Sequence, residues 1–398
     1  MALAVPTAAE FPVLARDGLV YLDTAATSQT PRPVIEAMDR YYGEYRGTIH
    51  RGVYPLAAEA TAAYESARDR IAAFAGSTPG ETVFTRNATE ALNLVAQAWG
   101  RANVGPDDLV VLTQMEHHSN IVPWQLLGCR LAYVPVDDDG LLVLEELDRL
   151  LERGPKAVAV AHVSNVLGTI NPIEEIARRA HGAGAVVVVD GSQAAPHLPL
   201  DVGALGADFY AWTGHKAYGP TGIGVLHGRR ELLESMPPFL GGGHMIARVG
   251  DFESTWAEPP AKFEAGTMPI AEAIGLGAAV DWLSGIGMEN VRAHSRDVVG
   301  YAYERLLEVE GLALHGPSDV ALRGAVCSFT LAGVHPHDTA EILGRQGVCV
   351  RAGHHCAQPL MRRLGVSATT RASVAIHNTR EDADRLIEGL ATVREVFD

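Results

Sequence analysis

Three features of this sequence have the chemistry to hold a reactive small molecule: a lysine in a glycine-rich loop, an aspartate closing a run of valines, and a polar strand-to-helix junction. Ala211-Trp212-Thr213-Gly214-His215-Lys216-Ala217-Tyr218-Gly219-Pro220 reads as a strand running into the loop. A lysine there can attach to an aldehyde once burial or neighbouring charge destabilises its ammonium, and the glycines let the backbone approach a bulky ligand. A simply solvated lysine fits the same loop, whereas the Walker-type phosphate-loop spacing is absent. Asp190 follows Val186-Val187-Val188-Val189, with Gln193 three residues on. At the carboxyl end of a strand in an open α/β sheet, an acid can keep a ring nitrogen protonated, although an aspartate in that place is also a common turn or cap residue. Val83-Phe84-Thr85-Arg86-Asn87-Ala88-Thr89-Glu90 joins a strand to a helix, where free N–H groups and the Thr89 hydroxyl suit a phosphate. Asn87 or Thr89 can equally be an ordinary cap. In this chain order the three features indicate a cofactor with a phosphate, an aromatic nitrogen and an aldehyde.

Positioning them requires a sheet. From about Thr82 to Ala211 short β-branched runs alternate with amphipathic helical patterns, which predicts βαβ units and a mostly parallel sheet. Residues 156–162 are an apolar strand; Asn171-Pro172 is an N-cap followed by proline at the first helical position, with Glu174 and Glu175 in the first turn. Ile173, Ile176, Ala177 and Ala180 recur at helical spacing, Gly182 and Gly184 end the helix, and 185–189 is a strand buried on both faces. Beyond Gly285 the texture changes to a long helix over 289–310, strands at 325–331 and 348–351, a helix from about Asp338 and a final helix over 381–397, a compact α+β unit. Segments 236–244 and 258–260 are connecting loops.

Composition bounds the partners. The chain has 398 residues, more than one core usually supports, and 48 acidic against 32 basic side chains give a net charge of −16. With no Lys/Arg-rich run, nothing offers a footprint for nucleic acid or an anionic membrane. No apolar run approaches the ~18 to 20 residues of a membrane span, and the first 18 residues lack a basic, apolar leader pattern. Four cysteines without CxxC spacing point to a reducing compartment, so the protein is expected to be soluble and cytoplasmic. Cys129, Cys327 and Cys349 are expected to be small buried hydrophobes. Adjacent His354-His355-Cys356 lacks the separation of tetrahedral zinc ligands, so no metal is expected.

The motifs then carry a family resemblance. Tyr21-Leu22-Asp23-Thr24-Ala25-Ala26, His50-Arg51-Gly52, Glu116-His117-His118-Ser119-Asn120, His162-Val163-Ser164-Asn165, Asp190-Gly191-Ser192-Gln193-Ala194, Gly214-His215-Lys216, Arg351-Ala352-Gly353-His354-His355-Cys356 and Arg371-Ala372-Ser373 resemble the cysteine desulfurases of the class V aminotransferase superfamily, fold type I. The segment around Cys356 looks like the SUF-type (group II) branch. The resemblance spans essentially the whole chain. It implies an α/β fold with a large domain over 21–285, whose mostly parallel mixed sheet lies between helices, a small α+β C-terminal domain over 286–398 that carries Cys356 and Arg371, and an N-terminal arm over 1–20 packing with it.

The same resemblance implies pyridoxal 5′-phosphate bound through Lys216, with Asp190 at the pyridinium nitrogen, Gln193 at the phenolic oxygen and His117 stacked on the ring. Thr89, with Ala88 beside it, Thr213 and His215 hold the phosphate, and Thr267 reaches across from the other subunit of a homodimer. Arg371 takes the substrate carboxylate; Asn165, Arg351 and Ala26 complete the contacts. Lys216 removes the Cα proton of L-cysteine, Cys356 attacks the substrate sulfur to form a persulfide, and L-alanine leaves. His117 exchanges the proton at the substrate thiol, its ordinary pKa lying near the working pH. His354, His355 and Arg351 favour the thiolate of Cys356, which at the free-cysteine pKa of about 8.5 is only roughly 3% populated at pH 7. His215, Arg371, Arg351 and the helix N-terminus form a cationic pocket. The persulfide serves iron–sulfur cluster assembly through a SUF-type acceptor protein, and Gln358-Pro359 after the cysteine look closer to enzymes that use a zinc-containing, scaffold-like acceptor. Selenocysteine lyase or cysteine sulfinate desulfinase activity is the alternative on the same fold; a non-catalytic scaffold is disfavoured by the complete set of Lys216, Asp190, His117 and Arg371. Met268 stands where the family usually has proline, and Thr213 where serine is commoner.

Overall fold

The computed structural model describes residues 8–397. Its larger sheet has seven strands in the order Thr82–Thr85, Gly224–Gly228, Phe209–Thr213, Val186–Asp190, Ala157–Ala161, Leu109–Thr113 and Arg130–Val134. All neighbouring pairs are parallel except the two made by Gly224–Gly228, so the sheet is mixed and mostly parallel, as expected. The four valines before Asp190 illustrate why. Val187 and Val189 enter the core beneath helices Pro55–Phe74, Ile173–Gly182 and Ile270–Ile286, whereas Val188 enters the opposite core beneath Ala88–Leu94 and Val122–Leu127. Each fully buried valine contributes about 1.5–3 kcal/mol relative to an exposed one. A one-residue slip would exchange the two cores, so the register that places Asp190 beside Ala161 and Ala211 is tightly set.

A second, antiparallel sheet orders Leu312–His315, Val326–Leu331, Thr369–Ser373 and Arg351–Gly353. Cys327, Phe329 and Leu331 alternate into a core shared with Val298 and Leu306 of helix Met288–Leu307, Leu343 of Pro336–Arg345, and Leu386, Leu390 and Val393 of Arg380–Phe397. Val20 and Leu22 join this core, because Val20–Tyr21 pairs in parallel with Val348–Cys349. Phe11 packs instead against Tyr218, Trp282 and His377. The first seven residues of the expected arm lie outside the described residues.

Several local expectations change. Helix Ile173–Gly182 has Pro172, not Asn171, at its N-cap; the Asn171 amide is drawn back to donate to the Ala161 carbonyl at 2.7 Å. The expected strand over 348–351 is two strands in two different sheets, because the chain changes partner at Val350. The long helix ends at Leu307. Only Cys327 is a core cysteine; Cys129 and Cys349 are partly exposed. No single helix among the described residues is long and apolar enough to cross a membrane.

Candidate functional site

A cleft of about 260 Å³ opens where the larger sheet's strands end and the smaller unit leans over them. Of the residues singled out in the sequence, Ala26, Ala88, Thr89, His117, Asn165, Asp190 and Gln193 line it, together with Thr213, His215, Lys216, Arg351, Cys356 and Arg371. Thr267 is the exception: it is exposed in a separate cleft beside Tyr41, Arg46 and Met268.

Each wall has a local cause. Asp190 ends its strand, and its Oδ1 accepts the Ser192 N–H at 3.0 Å and the Ser192 hydroxyl at 2.6 Å. Gly191 is required there, since a Cβ would stand 2.1 Å from the Tyr210 ring packed beneath the turn. At the junction, Asn87 caps the helix by accepting the Glu90 N–H at 2.9 Å, so the ordinary cap role falls to Asn87. Thr89 instead shares a 2.8 Å hydrogen bond with Ser119. The helical path continues to Asn103, and its N-terminal end carries partial positive charge toward the cleft. Gly224 lets the neighbouring strand abut this junction; a Cβ would lie 2.4 Å from the Asn87 backbone.

Electrostatics departs from the expectations. Burial pushes the Lys216 ammonium down to about 8, opposed by Asp190 and assisted by Arg371. Burial and Lys216 push His117 down to about 4, so His117 rests neutral, not poised near the working pH. Its Nδ1 accepts the Ser119 N–H at 3.1 Å, which places the ring proton on Nε2. His215, also held down to about 4 by burial and Lys216, is neutral and bonded to Thr27 at 3.2 Å. The positive charge of the cleft is therefore carried by its arginines, Lys216 and the helix end. His355 does not supply charge to Cys356: burial and Arg371 lower it to about 3, and its Nε2 bonds Thr369. His354 offers a lone pair, accepting the Cys356 N–H at Nδ1. Arg351 is exposed and 4.0 Å from Asp23.

Sequence reasoning missed Asp23 as a group of the site. It is half-buried, and its Oδ1 stands 3.2 Å from Nη2 of the buried Arg371, whose Nη1 donates to the Asn165 carbonyl. Burial raises the Asp23 pKa against the pull of Arg371 and Arg351. Glu116 was also missed. Fully enclosed, it accepts from Thr113, Ala161 and Asn120, and burial pushes it up to about 7. Both residues stand in the quoted motifs, but nothing in their spacing reveals which partners they meet.

The residues present fit a ligand with an anionic end, a ring nitrogen and an aldehyde. Thr213 Oγ1 and Arg371 Nε are buried without a hydrogen-bond partner among the described residues, and both line this cleft. Such orphaned groups call for a ligand. A carboxylate, a neutral imidazole and an amine of lowered pKa complete the set.

Comparison with known proteins follows the same direction. The family described as Aminotransferase class-V matches residues 20–386. The chain is 53% identical to a protein of Streptomyces coelicolor named "Probable cysteine desulfurase", over 98% of this chain and 96% of that one. It is 50% identical to the "Cysteine desulfurase" of Haloferax volcanii, over 95% and 90%. Among solved structures it is similar to the cysteine desulfurase CsdA (S-sulfonic acid) from Escherichia coli, at 39% identity and TM-score 0.91 over 98% of both chains. The apo cysteine desulfurase of Thermococcus onnurineus is 40% identical, with TM-score 0.94 over 100% of this chain and 99% of that one.

Proposed function

The chain belongs to the Aminotransferase class-V family and is a cysteine desulfurase; from that premise we propose that its cofactor is pyridoxal 5′-phosphate and that Lys216 and Cys356 are its two reacting side chains. The observation that carries this reading is that both line one cleft together with Arg371 and Asp190. When bound, the cofactor supplies an aldehyde that condenses with an amine and a ring that takes up the electron pair left when a bond to the substrate is broken. Asp190 would hold the ring nitrogen, His117 the ring face and Gln193 the phenolic oxygen, with Ala88, Thr89, Thr213 and His215 at the phosphate. Thr267, on a separate face, would serve the site of the other subunit in a homodimer. Residues 21–285 and 286–398 form the large and small domains, with the segment before them as an arm.

Arg371 binds the substrate carboxylate and, with Asn165, Ala26 and Arg351, orients L-cysteine. Lys216, with its lowered pKa, is free as an amine in a useful fraction at neutral pH and removes the Cα proton. The neutral His117 moves the proton at the substrate thiol. The Cys356 thiolate attacks the substrate sulfur; an S–S bond forms as the Cβ–S bond breaks, the electron pair stays with carbon, and protonation there gives L-alanine. The balance is protein thiol plus L-cysteine to protein persulfide plus L-alanine, with no external oxidant. A cytoplasmic SUF-type acceptor of the zinc-containing, scaffold-like kind then takes the sulfur for iron–sulfur cluster assembly.

The test is alanine and sulfide release from L-cysteine, with and without each acceptor type, by wild type and Cys356→Ala. The variant should lose activity toward cysteine and keep it toward selenocysteine. Equal loss toward both would overturn the role of Cys356.

A further inference from the structure

The cysteine loop holds two consecutive non-glycine residues in the left-handed region, His355 at φ 50° and Cys356 at φ 56°. L side chains seldom stay there unless outside contacts hold them. On one side the Asn165 amide donates to the His355 carbonyl at 2.7 Å. On the other side His118 makes two contacts with the backbone that leaves the cysteine. Its backbone N–H donates to the Cys356 carbonyl at 2.7 Å, and its Nε2 accepts the Gln358 N–H at 3.1 Å. His118 directly follows His117 and opens the short helical turn His118–Asn120.

We propose that His118 is a positioning residue for Cys356, clipping the loop that presents the thiol to the segment that carries His117. The proposal rests on the reading of Cys356 as the residue that receives sulfur. The clip requires a neutral imidazole, because Nε2 must accept; its proton then sits on Nδ1. The titratable groups facing the ring are His354, with ring centroids 5.6 Å apart, and His117, at 6.3 Å. Partial burial and His354 both lower the His118 pKa, which keeps the acceptor available at neutral pH. His118 is not itself among the residues that line the cleft, and it reaches the cleft through Cys356 and its neighbour His117, so its contribution is to the aim of the thiol.

The holoenzyme, His118→Ala, His118→Gln and Cys356→Ala are compared for kcat and KM with L-cysteine and with selenocysteine, for cofactor absorbance, and for Tm. In His118→Ala, kcat for L-cysteine should fall about tenfold, the worth of one well-placed hydrogen bond at a reacting group. KM, the cofactor band, Tm and selenocysteine turnover should stay at wild-type values. His118→Gln, whose side-chain oxygen can stand near the position of Nε2, should recover most of the loss. Iodoacetamide labelling of Cys356, followed on its own peptide, should accelerate in the alanine variant and return toward wild type with glutamine. A wild-type kcat in His118→Ala, equal losses on both substrates, or no recovery with glutamine would overturn the proposal. Cysteine turnover surviving in Cys356→Ala would instead overturn the reading on which it rests.

Discussion

Arg371 and Asp23, 348 residues apart in sequence, form an ion pair in which Nη2 stands 3.2 Å from Oδ1. Nη1 is tied to the Asn165 carbonyl and Nε has no partner among the described residues, so the guanidinium is fixed in plane with its Nε–H unspent. A lysine cannot reproduce that planar fork. Arg371→Lys is therefore expected to raise KM for L-cysteine roughly 10- to 100-fold, the equivalent of one charge-assisted hydrogen bond, with cofactor content unchanged. Steady-state kinetics decides it: a KM within about twofold of wild type would mean that the substrate carboxylate binds elsewhere.

Lys216 titrates near 8 because burial penalises its ammonium. Only the neutral amine reacts with an aldehyde. Cofactor-free protein should take up pyridoxal 5′-phosphate at a rate that rises about tenfold per pH unit below 8 and levels off above it, followed by absorbance after rapid mixing. Asp190 raises the lysine pKa, so Asp190→Asn should move the midpoint lower. A midpoint near the ordinary lysine value of about 10.4 would refute the assignment.

His197 and His227 are fully buried, and burial lowers both to about 3. His227 accepts the Trp212 N–H at Nε2 and meets the Thr82 hydroxyl at Nδ1, an arrangement that needs a neutral ring. The unfolded chain protonates each near 6.5 while the folded chain resists. Their stabilisation is thus complete above about pH 7.5 and is lost as pH falls through 6.5 toward 3, by about 2 kcal/mol each at pH 5. Urea unfolding at pH 7.5 and 5 measures the sum. His227→Gln should flatten the slope between pH 5 and 6 by about 1.2 kcal/mol per unit, and an unchanged slope would contradict the linkage.

Glu264 grips Arg68 with both oxygens, at 2.7 and 2.8 Å, and accepts the Phe84 N–H at 2.8 Å. All of this is buried. Glu264→Ala would leave a strand N–H unpaired and the Arg68 guanidinium with only the longer pair to Glu65 and bonds to the Thr82 carbonyl and Tyr64 hydroxyl, so unfolding should become easier by about 3 kcal/mol in a denaturant titration. Replacing Arg68 and Glu264 together by apolar residues should cost less than the single change; a larger cost would show that the pair does more than satisfy itself.

The elements legible in the sequence are those with a repeating pattern. Four successive valines announce a strand buried on both faces, and the spacing of Ile173, Ile176, Ala177 and Ala180 announces the face of a helix. Lys216 and Asp190 could be singled out because lysine in a glycine-rich loop and an acid at a strand end have few chemical uses. Charge states were not legible. His117, His215 and His355 look like cations in a list of residues, yet enclosure and the nearness of Lys216 or Arg371 leave all three neutral. Asp23, Glu116 and His118 went unread for a related reason: each acts through a contact made only in three dimensions, and the segment around it carries no periodic signal.

The pairing of Val20–Tyr21 with Val348–Cys349, and the bond from the Ser373 N–H to the Leu22 carbonyl, have a consequence for synthesis. The first strand made is among the last to find its neighbours, and Asp23 emerges long before Arg371 exists. The seven-stranded sheet is complete by Gly228 and can consolidate early, but loop closure across 348 residues must precede the ion pair of Asp23 and Arg371. A nascent chain that already carries Lys216 therefore still lacks Cys356 and Arg371, so the cleft that the three residues share closes only after Arg371 has been made.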